Sequence, residues 1–283
     1  MSPAPDEQLR LPDGTPVGTG LQIPLSTSTA FIAYEQVGPM LSMDDIIALA
    51  KRGGRTRGRE RFPFAQFGSN QRSTNACQGH ASANAVTRAR VRRHLEYVKL
   101  SGAYAYSLVN GGRDRGSMLE DGMQACEVNG YATAETVPWD KIYPHLYNVG
   151  KAKAEALRFK AREVYAVRTE LALFSALASG FDCVVAVHAD NGFMSLDQRG
   201  VALGGNGPGN HAVCCDDLWY DDATNELIAD HCNSWDVTYG DQGRAGLTWK
   251  RHLSKTTPYH VFYALRGTID DPEAVAPPVD NAA

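Results

Sequence analysis

The apolar pattern of this chain changes period near residue 181, and that change limits the folds open to it. Before it, apolar positions recur at helical spacing. Ala81, Ala85, Val86 and Ala89 line small faces while Arg88, Arg90, Arg92 and Arg93 supply polar ones, which predicts a helix over residues 77–100. A second helix is predicted over 117–129, ending near Asn129-Gly130, and a third over 169–179, stopping at Gly180. The Ala/Lys/Glu/Arg-rich stretch 151–162 reads as an exposed helix or loop. Ser42 followed by Met43-Asp44-Asp45 and the apolar Ile46, Ile47 and Leu49 reads as a short capped helix. After residue 181 the apolar runs are short, at 184–187, 212–215, 227–230 and 261–265, and Gly, Asp and Asn turns separate them. Helices first and strands second predict an α+β fold of two lobes, a division that 283 residues can support.

Charge and composition narrow the function classes. The formal charge is −4, from 28 basic and 32 acidic residues, so nothing global favours nucleic acid or an anionic membrane. No apolar run reaches the roughly 18 residues of a membrane-spanning helix. The start, MSPAPDEQLRLPDGTP, lacks a basic segment leading into an apolar one, so no secretory signal is read and a cytoplasmic location is expected. The six cysteines include no CxxC pair, and free thiols are expected. Cys214, Cys215, His231 and Cys232 invite a zinc reading. Neighbouring strand residues point to opposite faces, however, so no metal site is expected there. The basic run 51–61, broken by three glycines, reads first as a solvated loop, with a processing site or an anionic partner as alternatives. The tail after Gly267 has the composition of a disordered segment.

Chemistry concentrates at three places. Cys77 stands where the helix predicted over 77–100 begins; there unpaired amides and the helix dipole favour a thiolate, although a cysteine so placed is more often simply packed. His211 opens an apolar strand after the Gly-rich stretch 204–209. Asn233 heads the tripeptide Asn233-Ser234-Trp235, and its side-chain oxygen suits the N–H of an imidazole. A nucleophilic thiol needs a base, and the base needs an orienting group, which these three residue types supply.

Gln71 and Cys77, then Asn210-His211-Ala212, then Asn233-Ser234-Trp235 resemble the papain-like cysteine peptidases, in that order. His211 lies 134 residues after Cys77, within the roughly 130–150 of the papain pattern. Asn233 falls later, which a longer hairpin at 219–224 explains. The stretches 116–118, 129–131 and 138–139, with Glu135, and the turn 239–243 resemble bacterial papain-like chains, so the similarity covers about residues 62–266. It implies a helical lobe whose central helix starts at the nucleophile (about 62–165) and an antiparallel β-sheet or barrel lobe (about 166–267). Residues 1–61 form an extension outside the similarity, and 268–283 a tail.

By that resemblance Cys77 attacks the scissile carbonyl, His211 is its base, Asn233 orients His211, and Gln71 donates to the oxyanion. Trp235 shields the Asn–His pair. The backbone of residues 111–116, including Gly112 and Gly116, lies along a peptide or protein substrate, and Met118 lines a specificity pocket. No cofactor is implied. Two departures stand beside the chemistry: Gln78 replaces the family's aromatic and Asp236 its glycine, the latter expected to strain its loop. Thr74 replaces a cysteine, so the family's disulfide there cannot form. The extension shows no inhibitory prosegment of the usual helical kind and need not be a zymogen device; a partner contact through it is one reading of its basic run. Besides hydrolysis, acyl transfer by the same residues and retention as a structural module remain open.

Overall fold

The computed structural model describes residues 9–269. The expectation of a disordered tail falls largely on 270–283, outside the described residues. Ten α-helical segments and a six-stranded sheet follow the predicted order, helices first. The helices that bear on the site are α1 (Tyr34–Val37), α2 (Met43–Gly53), α3 (Arg57–Arg61), α4 (Phe64–Phe67), α5 (Cys77–Arg92), α6 (Gly102–Val109), α7 (Leu119–Val128), α8 (Val149–Ala156) and α9 (Glu170–Ala178). The strands are β1 (Lys160–Val167), β2 (Asp182–Val187), β3 (His211–Asp221), β4 (Glu226–Cys232), β5 (Arg244–Thr248) and β6 (Phe262–Ile269). They pair antiparallel in the order β1-β6-β2-β3-β4-β5.

β3 is central, and its first nine residues are buried. α5 packs against it, as do α2 and α9. This explains why 212–215 reads as a continuous apolar run rather than an alternating one. Along α5, Gly79, Ala81, Ser82, Ala83, Ala85 and Ala89 are all buried. Small side chains let neighbours close in: a Cβ at Gly79 would run into the Gly102 carbonyl and Tyr106 on α6.

α5 stops at Arg92, well short of residue 100. The Leu95 N–H bonds back to the Arg90 carbonyl and the His94 N–H to that of Val91, while His94 takes φ 61°. That is a Schellman ending with histidine in the left-handed position where glycine is usual, so no glycine announced it. β1 and β5 add two strands that the apolar runs did not announce. β1 starts in the polar Lys160-Ala161-Arg162-Glu163 stretch, pairs with β6 as the last strand of the sheet and adds a single parallel bridge from Ala166 to Ala33, so the sheet reaches back to residue 160. The short helix at Ser42 forms as expected, its hydroxyl accepting from the Asp45 N–H. All six cysteines are free and buried; Cys214 faces Cys232 across the β3–β4 pair, and Cys183 faces Cys215 across β2–β3.

The N-terminal residues pack into this body. Tyr34, Ile46 and Ala50 are fully buried. The basic run stays largely exposed, as expected, but it is helical and ion-paired rather than a free loop. Lys51 pairs with Asp222, Arg55 and Arg59 with Asp241, and Arg57 with Asp217, all groups of the strand lobe. No helix among the described residues is long and apolar enough to cross a membrane.

Candidate active site

Cys77, His211, Asn233 and Gln71 come together where the N-terminus of α5 meets the start of β3. Cys77 is the first residue of α5, so its N–H has no partner within the helix. Its side chain is fully buried. Burial pushes the thiol pKa up; the N–H groups of Ala212, Gly20, Gln78 and Cys77 itself offset part of that rise.

His211 Nε2 lies 2.8 Å from Asn233 Oδ1. The same oxygen accepts the Ser234 N–H at 2.7 Å. A backbone amide can only donate, so the acceptor end of the Asn233 amide is fixed, and His211 Nε2 must carry the proton. Nδ1 is then left with the lone pair and no hydrogen-bond partner among the described residues. Trp235 stacks on the imidazole with centroids 4.4 Å apart, and both rings are fully buried. Burial depresses the His211 pKa to about 4, with the Asn233 bond acting the other way. Thiol and imidazole are therefore both neutral in this closed form.

Gln71 is also fully buried. The Ser234 hydroxyl donates to Gln71 Oε1 at 2.6 Å and the Gln71 N–H to the Ser234 carbonyl at 2.8 Å. These two bonds aim the Nε2 of Gln71 into the cleft. Ser234 is thus a positioning residue that the sequence placed only as the middle of a tripeptide.

The cleft is filled by the chain's own residues 17–22. Gln71 Nε2 and Trp235 Nε1 each donate to the Gly18 carbonyl at 3.1 Å. The Gly18 N–H donates to the Arg72 carbonyl and that of Leu21 to Asn210. Leu21 pairs in parallel with Ser117: the Ser117 N–H donates to Gly20 at 2.9 Å and the Gln22 N–H to Ser117 at 3.0 Å. A Cβ at Gly18, Gly20 or Gly116 would strike backbone of Thr74, Asn75 or Gly20 respectively. The extension, which lies outside the family similarity, is thus threaded through the site. Its hydrogen bonds to the cleft residues use its own backbone atoms, while the side chains of Val17 and Leu21 are buried in the core beside them.

The edge that receives this segment is Gly116-Ser117. Tyr106 OH accepts the Gly116 N–H and donates to Asp114, which also accepts the Asn75 N–H, so edge and Cys77 loop share one support. Gly112 lies in an exposed turn closed by Asn110 and takes no recorded part in these contacts. Met118 is half-buried at the cap of α7, next to Ser117.

Both departures have partners. Gln78 is buried with its amide against Gly122 of α7, where any Cβ would collide with it. Asp236 accepts the Asn70 amide at 2.8 Å, tying the Trp235 loop to the Gln71 loop. Asp236 is not among the positive-φ residues, so the strain expected from losing glycine is absent.

Toward the C-terminal end of α5, beside the middle of β3, lies a second buried polar cluster. Arg88 pairs with Asp216, Arg244 with Asp216 and Asp230, and Arg92 with Asp182. Against desolvation, Arg244 and Arg88 hold Asp216 below its usual range. Desolvation prevails at Asp182, raised to about 6, and at Asp230, raised to about 7.

No family model matches the chain, and neither does any curated protein. Solved structures do match. Xylellain, a cysteine protease from Xylella fastidiosa, is 19% identical with a TM-score of 0.62, covering 88% of this chain and 96% of its own. Procathepsin B S9 from Trypanosoma congolense is 15% identical with a TM-score of 0.61, covering 88% and 86%. The bromelain protease from Ananas comosus, in complex with the E64 inhibitor, is 18% identical with a TM-score of 0.56, covering 72% and 93%. At such identities the likeness speaks for the fold: this chain has the two-lobed α+β fold of the papain-like cysteine proteases.

Proposed function

We propose that this chain is a cysteine peptidase held in a latent form by its own residues 17–22. The observation that carries the reading is convergence. Cys77 at the N-terminus of α5 and the Ser234-held amide of Gln71 meet one stretch of backbone, at the amide of Gly20 and the carbonyl of Gly18, and the Trp235 that stacks on the Asn233-bound His211 donates to that same carbonyl. A peptide substrate would take that place once the segment leaves. Water then returns, and the burial that keeps both groups neutral is relieved. The proton of Cys77 passes to His211 Nδ1, and the thiolate adds to the substrate carbonyl. Gln71 Nε2 and the Cys77 N–H stabilise the oxyanion. Collapse breaks the C–N bond, and the leaving amine takes its proton from His211. Water, deprotonated by His211, cleaves the thioester and releases the acid.

The test is labelling with a thiol-directed epoxide, before and after limited proteolysis. The stretch between the cleft segment and α1 is accessible, with Leu25 fully exposed. Labelling confined to Cys77, faster after proteolysis and lost in His211→Ala, is the expected result. Comparable labelling of several cysteines would refute it and favour a structural module.

A further inference from the structure

We propose that a cavity between the loop preceding Cys77 and the turn at Trp139 binds a carboxylate carried on an apolar body. The cavity has a volume of about 300 Å³. His80, Ser69, Lys99, Arg72, Val137 and Trp139 are among the residues that line it. His80 is only 3% exposed, yet neither ring nitrogen has a hydrogen-bond partner among the described residues, and the same holds for the Ser69 hydroxyl. Gly102 leaves room for the ring; a Cβ there would strike it. Buried polar groups without partners are rare, and here they sit at a cavity rather than in packed core.

Charge selects the ligand. Among the described residues neither Lys99 nor Arg72 has a carboxylate partner, and no Asp or Glu lines the cavity. Arg72 instead lies over the Trp139 ring at 5.9 Å. Burial depresses His80 to a pKa of about 3, so its imidazole is neutral and offers one N–H. Two cations and two neutral donors ask for an anion that accepts several hydrogen bonds, while Leu100, Val137 and Trp139 supply apolar wall for a body behind it. The site lies outside the catalytic cluster but shares Arg72 with the cleft, since the Arg72 carbonyl receives the Gly18 N–H.

The experiment follows the His80 ring by ¹⁵N NMR in the full chain. It is titrated with 3-phenylpropanoate, with 3-phenylpropanamide, with acetyl-Gly-Gly-Phe bearing a free C-terminus, and with inorganic phosphate. We expect both carboxylates to shift the His80 signals saturably, and the amide to bind at least about tenfold more weakly. Lys99→Met and Arg72→Met, at exposed positions, should each weaken carboxylate binding about fivefold or more. A tripeptide that binds more tightly than phenylpropanoate identifies a chain end as the source; the reverse identifies a small organic acid. Unmoved His80 signals, equal binding of the amide, equal binding of phosphate, or indifference to Lys99→Met would each overturn the proposal.

Discussion

The two ends of α5, one against the start of β3 and the other against its middle, bury polar groups in opposite ways. At one end sit Cys77 and His211, neutral, with the imidazole Nδ1 unbonded among the described residues. At the other, Arg88 and Arg92 face Asp216 and Asp182, and Arg244 closes the group with Asp230. At the charged end each carboxylate has a cation beside it, although the Arg88 nitrogens lack a hydrogen bond of good geometry, while at the neutral end the imidazole Nδ1 has no partner among the described residues. Breaking a buried ion pair strands a charge, so the charged end resists sliding of helix against strand. That fixes the spacing at which the thiol and the imidazole meet. One pair of elements thus carries a charged clamp and the candidate site a few turns apart.

His211→Ala and Asp216→Ala, both on β3, test this division most severely. In protein freed of its cleft segment, His211→Ala should lower kcat by about 10⁴-fold while stability moves by less than about 2 kcal/mol. Asp216→Ala should cost about 3–5 kcal/mol in urea unfolding, because Arg88 and Arg244 lose a shared partner, and leave kcat near its original value at low temperature. If the two variants behave alike, the comparison fails.

Acid should separate the ends further. His80, His211 and His252 have pKa values depressed to about 3, 4 and 4, and His231 and His260 are lowered too, all by burial first. An unfolded histidine takes a proton near pH 6.5 that the folded one refuses, so their contribution is lost as pH falls below that value. Asp182 and Asp230 are raised, so their contribution is lost as pH rises through about 4–7. Five groups outweigh two, and stability should drop by roughly 2 kcal/mol between pH 6.5 and 5.5 in denaturant titrations. Stability that rises over that interval would place the balance with the carboxylates.

Two smaller effects sharpen the reactive end. Ser234→Ala releases Gln71 from its aim, which should lower kcat about 10–100-fold with little change in KM or in the pH profile. A loss confined to KM would assign Ser234 to binding instead. Gly20→Val in the full chain should raise basal peptide hydrolysis about tenfold by expelling the cleft segment, checked against a fluorogenic peptide. Unchanged activity would mean that the segment does not gate the site.

Much of the architecture was legible in the residues. The helix-to-strand switch predicted the order of elements, and each of the four polar residues brought together at the cleft sat at an element end or in a short motif. What escaped detection did so for physical reasons. α5 was drawn too long because His94 occupies a left-handed cap without glycine. The ion pairs of the largely exposed basic run are hidden in the sequence because the partners Asp217, Asp222 and Asp241 lie some 160 or more residues away. Gln78 and Asp236 looked like defects because their compensations, Gly122 and Asn70, are distant in sequence.

The glycines at 18, 20 and 116 give the cleft segment a property of their own. At residues 18 and 20 the segment is bare backbone, thin enough to pass the Thr74 and Asn75 backbone, and it is anchored on either side by the buried side chains of Val17 and Leu21. A segment so thin between two anchors leaves no tolerance in the middle: one added methyl group at either of its glycines has no room unless the chain moves.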